Sequence, residues 1–112
     1  MSAPLTLNLT QGSLQFAFSA EAAQGLKADL IDLMNTLKAA AAQAGEPGRR
    51  SPQPAMEYRH TGDVFLEIFC NPNIWPSPFA AKVLITLRDD RIRVTTEAEL
   101  AQIYDDVMAY LA

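Results

Sequence analysis

A chain of 112 residues with a net charge of −4, from 13 acidic and 9 basic side chains, fits one domain and leaves no room for two. At 49% apolar and 20% charged residues it is far from disordered composition, and a core of this size folds without disulfides or metal. The acidic balance argues against general affinity for nucleic acid or anionic lipid, both of which reward clustered Lys and Arg.

Leu5, Leu7 and Leu9 alternate with Thr6, Asn8 and Thr10, the period of a half-buried strand. Gln11-Gly12-Ser13 supplies a turn, and Leu14, Phe16 and Phe18 alternate in a second strand that closes a hairpin. Ser19 is suited to cap a helix over Ala20–Ala44. Ala22, Leu26, Leu30, Leu33, Leu37 and Ala40 form its apolar stripe, and Gly45 ends it. Residues 46–54 hold three prolines and a glycine and read as an exposed, mobile loop inside the single domain 1–112.

Met56–Arg59 and Val64–Cys70 read as strands around a His60-Thr61-Gly62-Asp63 turn. After the proline-rich segment 71–79, Lys82–Arg88 and Arg91–Thr95 form another hairpin around Asp89-Asp90. Thr96-Glu97-Ala98-Glu99 has the form of a capping box for a last helix over Glu97–Leu111, with Leu100, Ile103, Tyr104, Val107 and Leu111 on one face. The order β-β-α-β-β-β-β-α predicts an α+β fold: a mostly antiparallel sheet of five or six strands with two helices on one face.

The residues that carry chemistry are few. His60 is the single histidine and Cys70 the single cysteine, so neither a disulfide framework nor a metal site of three or four N/S ligands is expected. A catalytic dyad would have to join His60 to Cys70, and no segment marks an oxyanion hole. Asp89-Asp90 and Asp105-Asp106 read as turn and solvated helix surface. Gly12, Gly25, Gly45, Gly48 and Gly62 are scattered singly, without the spacing of a phosphate loop. No cofactor is expected. Arg88, Arg91 and Arg93 lack the interleaved aromatics of a nucleic-acid surface and read as charges that blunt a sheet edge. Met1–Asn8 lacks the pattern of a signal peptide, and no apolar run approaches the ~20 residues of a membrane span, so a cytoplasmic location is expected.

The middle segment is the informative one. Val64, Leu66 and Ile68 alternate with Phe65 and Phe69, and Val83, Ile85 and Leu87 with Leu84, so both faces of this strand pair are apolar. If helices cover one face, Phe65, Phe69 and Leu84 emerge on the other. Beside them a stiff loop presents Ile74, Trp75 and Phe79, either as a partner-binding anchor with a polar rim or as a cap on the open end of the core. These six residues are the candidate partner-binding set. They favour a non-catalytic protein-binding module, an adaptor or assembly chaperone that dimerises with its own copy. The alternative is a small enzyme or ligand-binding domain with a cleft near His60, Cys70 and Trp75.

The stretch NPNIWPSPFAAKVLITLRDDRIRVTTEAEL resembles small soluble proteins of cyanobacteria. That resemblance implies an assembly role for a photosynthetic or carbon-fixing complex, and it assigns no functional residue. Small acidic secretion chaperones are similar in fold style, although they begin with a helix where this chain begins with a hairpin.

Overall fold

Two runs of period-2 alternation at the start of the chain fold back on each other, and four more follow the first helix. The computed structural model describes residues 3–42 and 52–112. Strands β1 (Pro4–Asn8) and β2 (Ser13–Ala17) pair antiparallel, with Leu5 opposite Phe16 and Leu7 opposite Leu14. Gly12 makes the connection with a φ of 86°, a conformation that any side chain would strain. Helix α1 (Ala20–Ala42) follows. Strands β3 (Met56–Thr61), β4 (Phe65–Cys70), β5 (Lys82–Arg88) and β6 (Arg93–Glu99) then form an antiparallel meander, and helix α2 (Leu100–Leu111) ends the chain. The fold is α+β in the order expected. Its six strands divide into a two-stranded and a four-stranded sheet.

The Ser19 hydroxyl accepts from the Ala22 N–H at 3.1 Å, capping α1 as its sequence predicts. Leu26, Leu30, Leu33 and Leu37 are buried, with Ala23 in place of the half-buried Ala22 at the start of the stripe. They share one core with Leu66, Ile68, Val83 and Ile85 of the meander and Leu100, Ile103 and Val107 of α2. In that core α1 packs on α2 and β3, while α2 packs on β1 and β6. Gly45 and residues 46–51 of the expected mobile loop lie outside the described residues.

Three boundaries differ from the sequence reading. The turn expected at Asp89-Asp90 extends to Ile92, where the Asp89 N–H donates to the Ile92 carbonyl, so β6 starts at Arg93 and not at Arg91. His60 and Thr61 belong to β3, opposite Leu66 and Phe65, and the chain turns at Gly62 to Val64 instead. Thr96–Glu99 is strand and not a capping box. Thr96 and Ala98 face the core opposite Ile85 and Val83, while Glu97 and Glu99 face out opposite Leu84 and Lys82. The four residues alternate as well as they cap, and pairing along β5 buries Ala98 opposite Val83, a packing gain that a cap would not bring. Helix α2 therefore starts three residues later, at Leu100, and Glu99 makes no side-chain cap bond.

Asp106, expected on the solvated side of α2, instead ties that helix to the first hairpin. Its carboxylate accepts from the Asn8 backbone N–H at 2.7 Å and from Asn8 Nδ2 at 2.9 Å, and Gln102 Nε2 donates to it at 2.9 Å. Such charge-assisted bonds are among the stronger ones available at a surface. Asp106→Ala should cost about 1–2 kcal/mol of stability in urea unfolding, because the hairpin loses its polar link to α2. Asp105→Ala, at an exposed neighbour, should change it by less than about 0.5 kcal/mol.

Candidate functional site

Because the register turns Leu66, Ile68, Cys70, Val83 and Ile85 into the core, the intervening residues form an outer face of three transverse rows. The first is Glu57, Phe69, Leu84 and Glu97; the second Arg59, Glu67, Thr86 and Thr95; the third Thr61, Phe65, Arg88 and Arg93. Phe65 and Phe69 are half-buried and Leu84 is 44% exposed. The expected second apolar face is thus present, but charges break it up. Arg59 bonds Glu67 at 2.8 Å, and the Arg88 guanidinium lies 4.4 Å above the Phe65 ring. At the centre Thr86 is only 7% exposed, overlain by its neighbours.

The 71–81 connection leaves the sheet beside the Phe69–Leu84 pair. Asn71 caps a single 3-10 turn, Pro72–Ile74, its Oδ1 accepting from the Asn73 backbone N–H at 3.0 Å and from Asn73 Nδ2 at 2.9 Å. Asn73 in turn imitates a strand partner for Gln53. Its Oδ1 accepts the Gln53 N–H and its Nδ2 donates to the Gln53 carbonyl, both at 2.8 Å. Buried Pro72 and Pro78 hold the two ends of the loop down. Between and beyond them Ile74 is 65% exposed and Phe79 84% exposed.

Trp75 behaves differently from its neighbours. It is half-buried against the core, and its indole N–H donates to the Cys70 thiol. Burial pushes that thiol up to about 11, and the Trp75 hydrogen bond pulls the other way. The structure therefore separates the loop's three apolar side chains: Trp75 packs inward, while Ile74 and Phe79 face water.

No protein-family model, curated protein or solved structure matches this chain. His60 and Cys70 both point to the core face, but the register places them four residues apart along the β3–β4 pair, about 13 Å at a strand's rise. They form no dyad. His60 instead packs edge-on against Phe18, with ring centroids 4.9 Å apart, and its Nε2 lies where a side chain at Gly62 would start. Among the described residues no three His, Cys, Asp or Glu side chains converge to hold a metal ion, and no helix is long and apolar enough to cross a membrane.

Other hollows line the surface. One of about 290 Å³ between α1 and β3 is walled by Asp29, Asp32 and Glu57 with Leu33, Thr36, Pro54 and Met56. Burial, reinforced by Asp32, raises the Asp29 carboxyl. A more apolar cleft of about 200 Å³ lies where Phe16 and Ala17 of β2 meet Val64, Leu87, Ile92 and Val94. The Asn73–Gln53 clasp was not anticipated from sequence. An Asn-Pro-Asn run is its only signal, and that run shows a turn without naming the distant strand it will hold.

Cys70 gives the inward packing of this corner a measurable signature. With its thiol near 11, folded protein at pH 8 should react with alkylating reagents far more slowly than denatured protein. Because the folded value lies above the ordinary 9.0, the Cys70 contribution to stability is intact below pH 9 and is lost as pH rises toward 11. Trp75→Ala should expose the thiol, accelerate alkylation and cost about 2 kcal/mol of stability as a half-buried aromatic is lost.

Proposed function

We propose that the protein is a non-catalytic binding module, an adaptor or assembly chaperone, which works as a cytoplasmic homodimer and captures a protein partner on its 71–81 loop. The observation that carries this reading is the contrast within the loop. Its backbone is fixed by the Asn71–Asn73–Gln53 bonds and by three prolines, yet Ile74 and Phe79 are left in water. A rigid loop loses little conformational entropy on docking, and burying an exposed Phe releases roughly 2–3 kcal/mol. The Asn71, Asn73 and Ser77 side chains around them supply a polar rim.

Nucleic acid fits poorly as the partner, since the net charge is −4 and the outer face alternates in sign. A photosynthetic or carbon-fixing complex is the narrower target suggested by the resemblance of segment 71–100 to cyanobacterial proteins. An enzyme or ligand-binding domain built on His60, Cys70 and Trp75 has less support, because His60 and Cys70 stand at opposite ends of their strands and Trp75 packs inward.

Phe79→Ser and Ile74→Ser test the reading. Each residue is exposed, so the melting temperature should stay within about 2 °C, corresponding to less than about 0.5 kcal/mol. Partner recovery in a pull-down with the purified double variant should fall by tenfold or more, as expected for a lost apolar anchor worth about 2 kcal/mol. Unchanged recovery by a folded double variant would remove the loop from the interface. His60→Ala should leave recovery unchanged.

A further inference from the structure

The outer two of the three rows on the exposed sheet face carry opposite charge. Glu57 and Glu97 flank Phe69 and Leu84 in the first row, each in a loose 3.9 Å contact with a cation of its own chain, Arg59 and Lys82 respectively, whereas Arg88 and Arg93 end the third. The middle row is internally neutral, with Arg59 bonded to Glu67 at 2.8 Å beside Thr86 and Thr95. Asp89 and Asp90 lie beyond the third row in the turn, where the Asp89 carboxylate is already engaged by the Arg91 and Ile92 backbone amides at 2.8 Å.

We propose that this face joins two copies of the chain about a two-fold axis that runs along the middle row. The proposal deepens the homodimer of the function proposed above and rests on it, but not on the role of the loop. Rotation about that axis keeps each strand over its own counterpart and reverses the order of the rows. Glu97 then meets Arg93 of the second copy, Phe69 meets Phe65 with the Arg88 guanidinium laid over its ring, and Leu84 meets the aliphatic stem of Arg88, each contact occurring twice. The other two-fold axis open to face-to-face sheets runs along the strands. It keeps the rows aligned and exchanges β3 with β6, which sets Glu57 against Glu97 twice. Like charges facing each other across an interface disfavour that arrangement. In the row-reversing dimer Arg59 and Glu67 stand over their own copies, but their bond within each chain, at 2.8 Å, is far tighter than the 3.9 Å contacts of Glu57 with Arg59 and of Glu97 with Lys82, which leave those two carboxylates more of their charge.

The size of the face sets the strength. Four strands about 4.8 Å apart and three rows about 7 Å apart cover on the order of 400 Å² per copy. That is about half of the ~800 Å² per partner found in standard interfaces, which places the pair among weak, transient associations.

The test is sedimentation equilibrium of the full chain from ~5 to ~500 μM, comparing wild type with Arg93→Glu, Glu97→Arg and the double exchange. Arg93 and Glu97 are exposed, and circular dichroism should confirm that all variants fold. A surface pair changes an equilibrium about twofold; each single variant alters two pairs and turns attraction into repulsion, so dissociation constants should rise about tenfold. The double exchange restores opposite charges and should return to within about threefold of wild type. A wild-type dimer that neither single variant weakens, or that Glu97→Arg tightens, overturns the arrangement while leaving a homodimer in place. A wild type that stays monomeric throughout overturns the homodimer and this interface together.

Discussion

The strand pair at the centre of the meander is the constraint on which the rest depends. Leu66, Ile68 and Cys70 of β4 and Val83 and Ile85 of β5 are all but inaccessible, packed into one core with the leucine stripe of α1 and with Ile103 and Val107 of α2. Side chains alternate strictly along a strand, so a slip of one residue would exchange this set for Phe65, Glu67 and Phe69. Burying Glu67 in place of Leu66 would strand a charge in the core, which fixes the register. Once the register is fixed, Phe65, Phe69 and Leu84 have no choice but to face outward. The outer face is thus a consequence of how the inner one packs.

Sustained periodic patterns were legible in the sequence. The α1 stripe, the Ser19 cap, the first hairpin and β5 follow from spacing alone, because each satisfies its own local requirement wherever the chain places it. Segments that satisfy two local requirements were not. Thr96–Glu99 alternates for a strand and is spaced for a cap, and only the neighbouring β5 decides between them. His60 is polar enough for a turn, yet it finds Phe18 across the sheet boundary and stays in the strand. The division into two sheets was also beyond local reasoning. It arises because the first hairpin packs on α2, held there by Asp106 and by the Tyr110 hydroxyl, which donates to the Ala3 carbonyl at 2.7 Å.

The candidate surface was legible in part, for a related reason. Alternation alone shows that β4 and β5 are apolar on both sides, so Phe65, Phe69 and Leu84 could be placed on the outer face from sequence. The charges that divide that face come from all four strands, and their relative positions require the register. Within the loop, composition marks Ile74, Trp75 and Phe79 as equivalent; the fold separates them. Trp75 has an indole N–H that finds the Cys70 thiol and a ring wide enough to close the end of the core, whereas Ile74 and Phe79 have no polar group to satisfy and no remaining gap to fill.

The meander also has to keep two edges from pairing indiscriminately, since β3 and β6 end its strand order. Both carry outward-facing charges, Glu57 and Arg59 on one and Arg93, Glu97 and Glu99 on the other, with Glu57 tied to Arg59 at 3.9 Å. Charged edge strands discourage open-ended strand addition, because each added chain would bring like charges together along the growing sheet. The apolar residues of the outer face lie on the two inner strands, Phe65 and Phe69 on β4 and Leu84 on β5. Glu67 and Arg88 lie on the same two strands, so the outer face mixes apolar and charged groups from its middle to its flanks. The alternation that secures the core thus sets Phe65, Phe69 and Leu84 among charges that the sheet itself supplies.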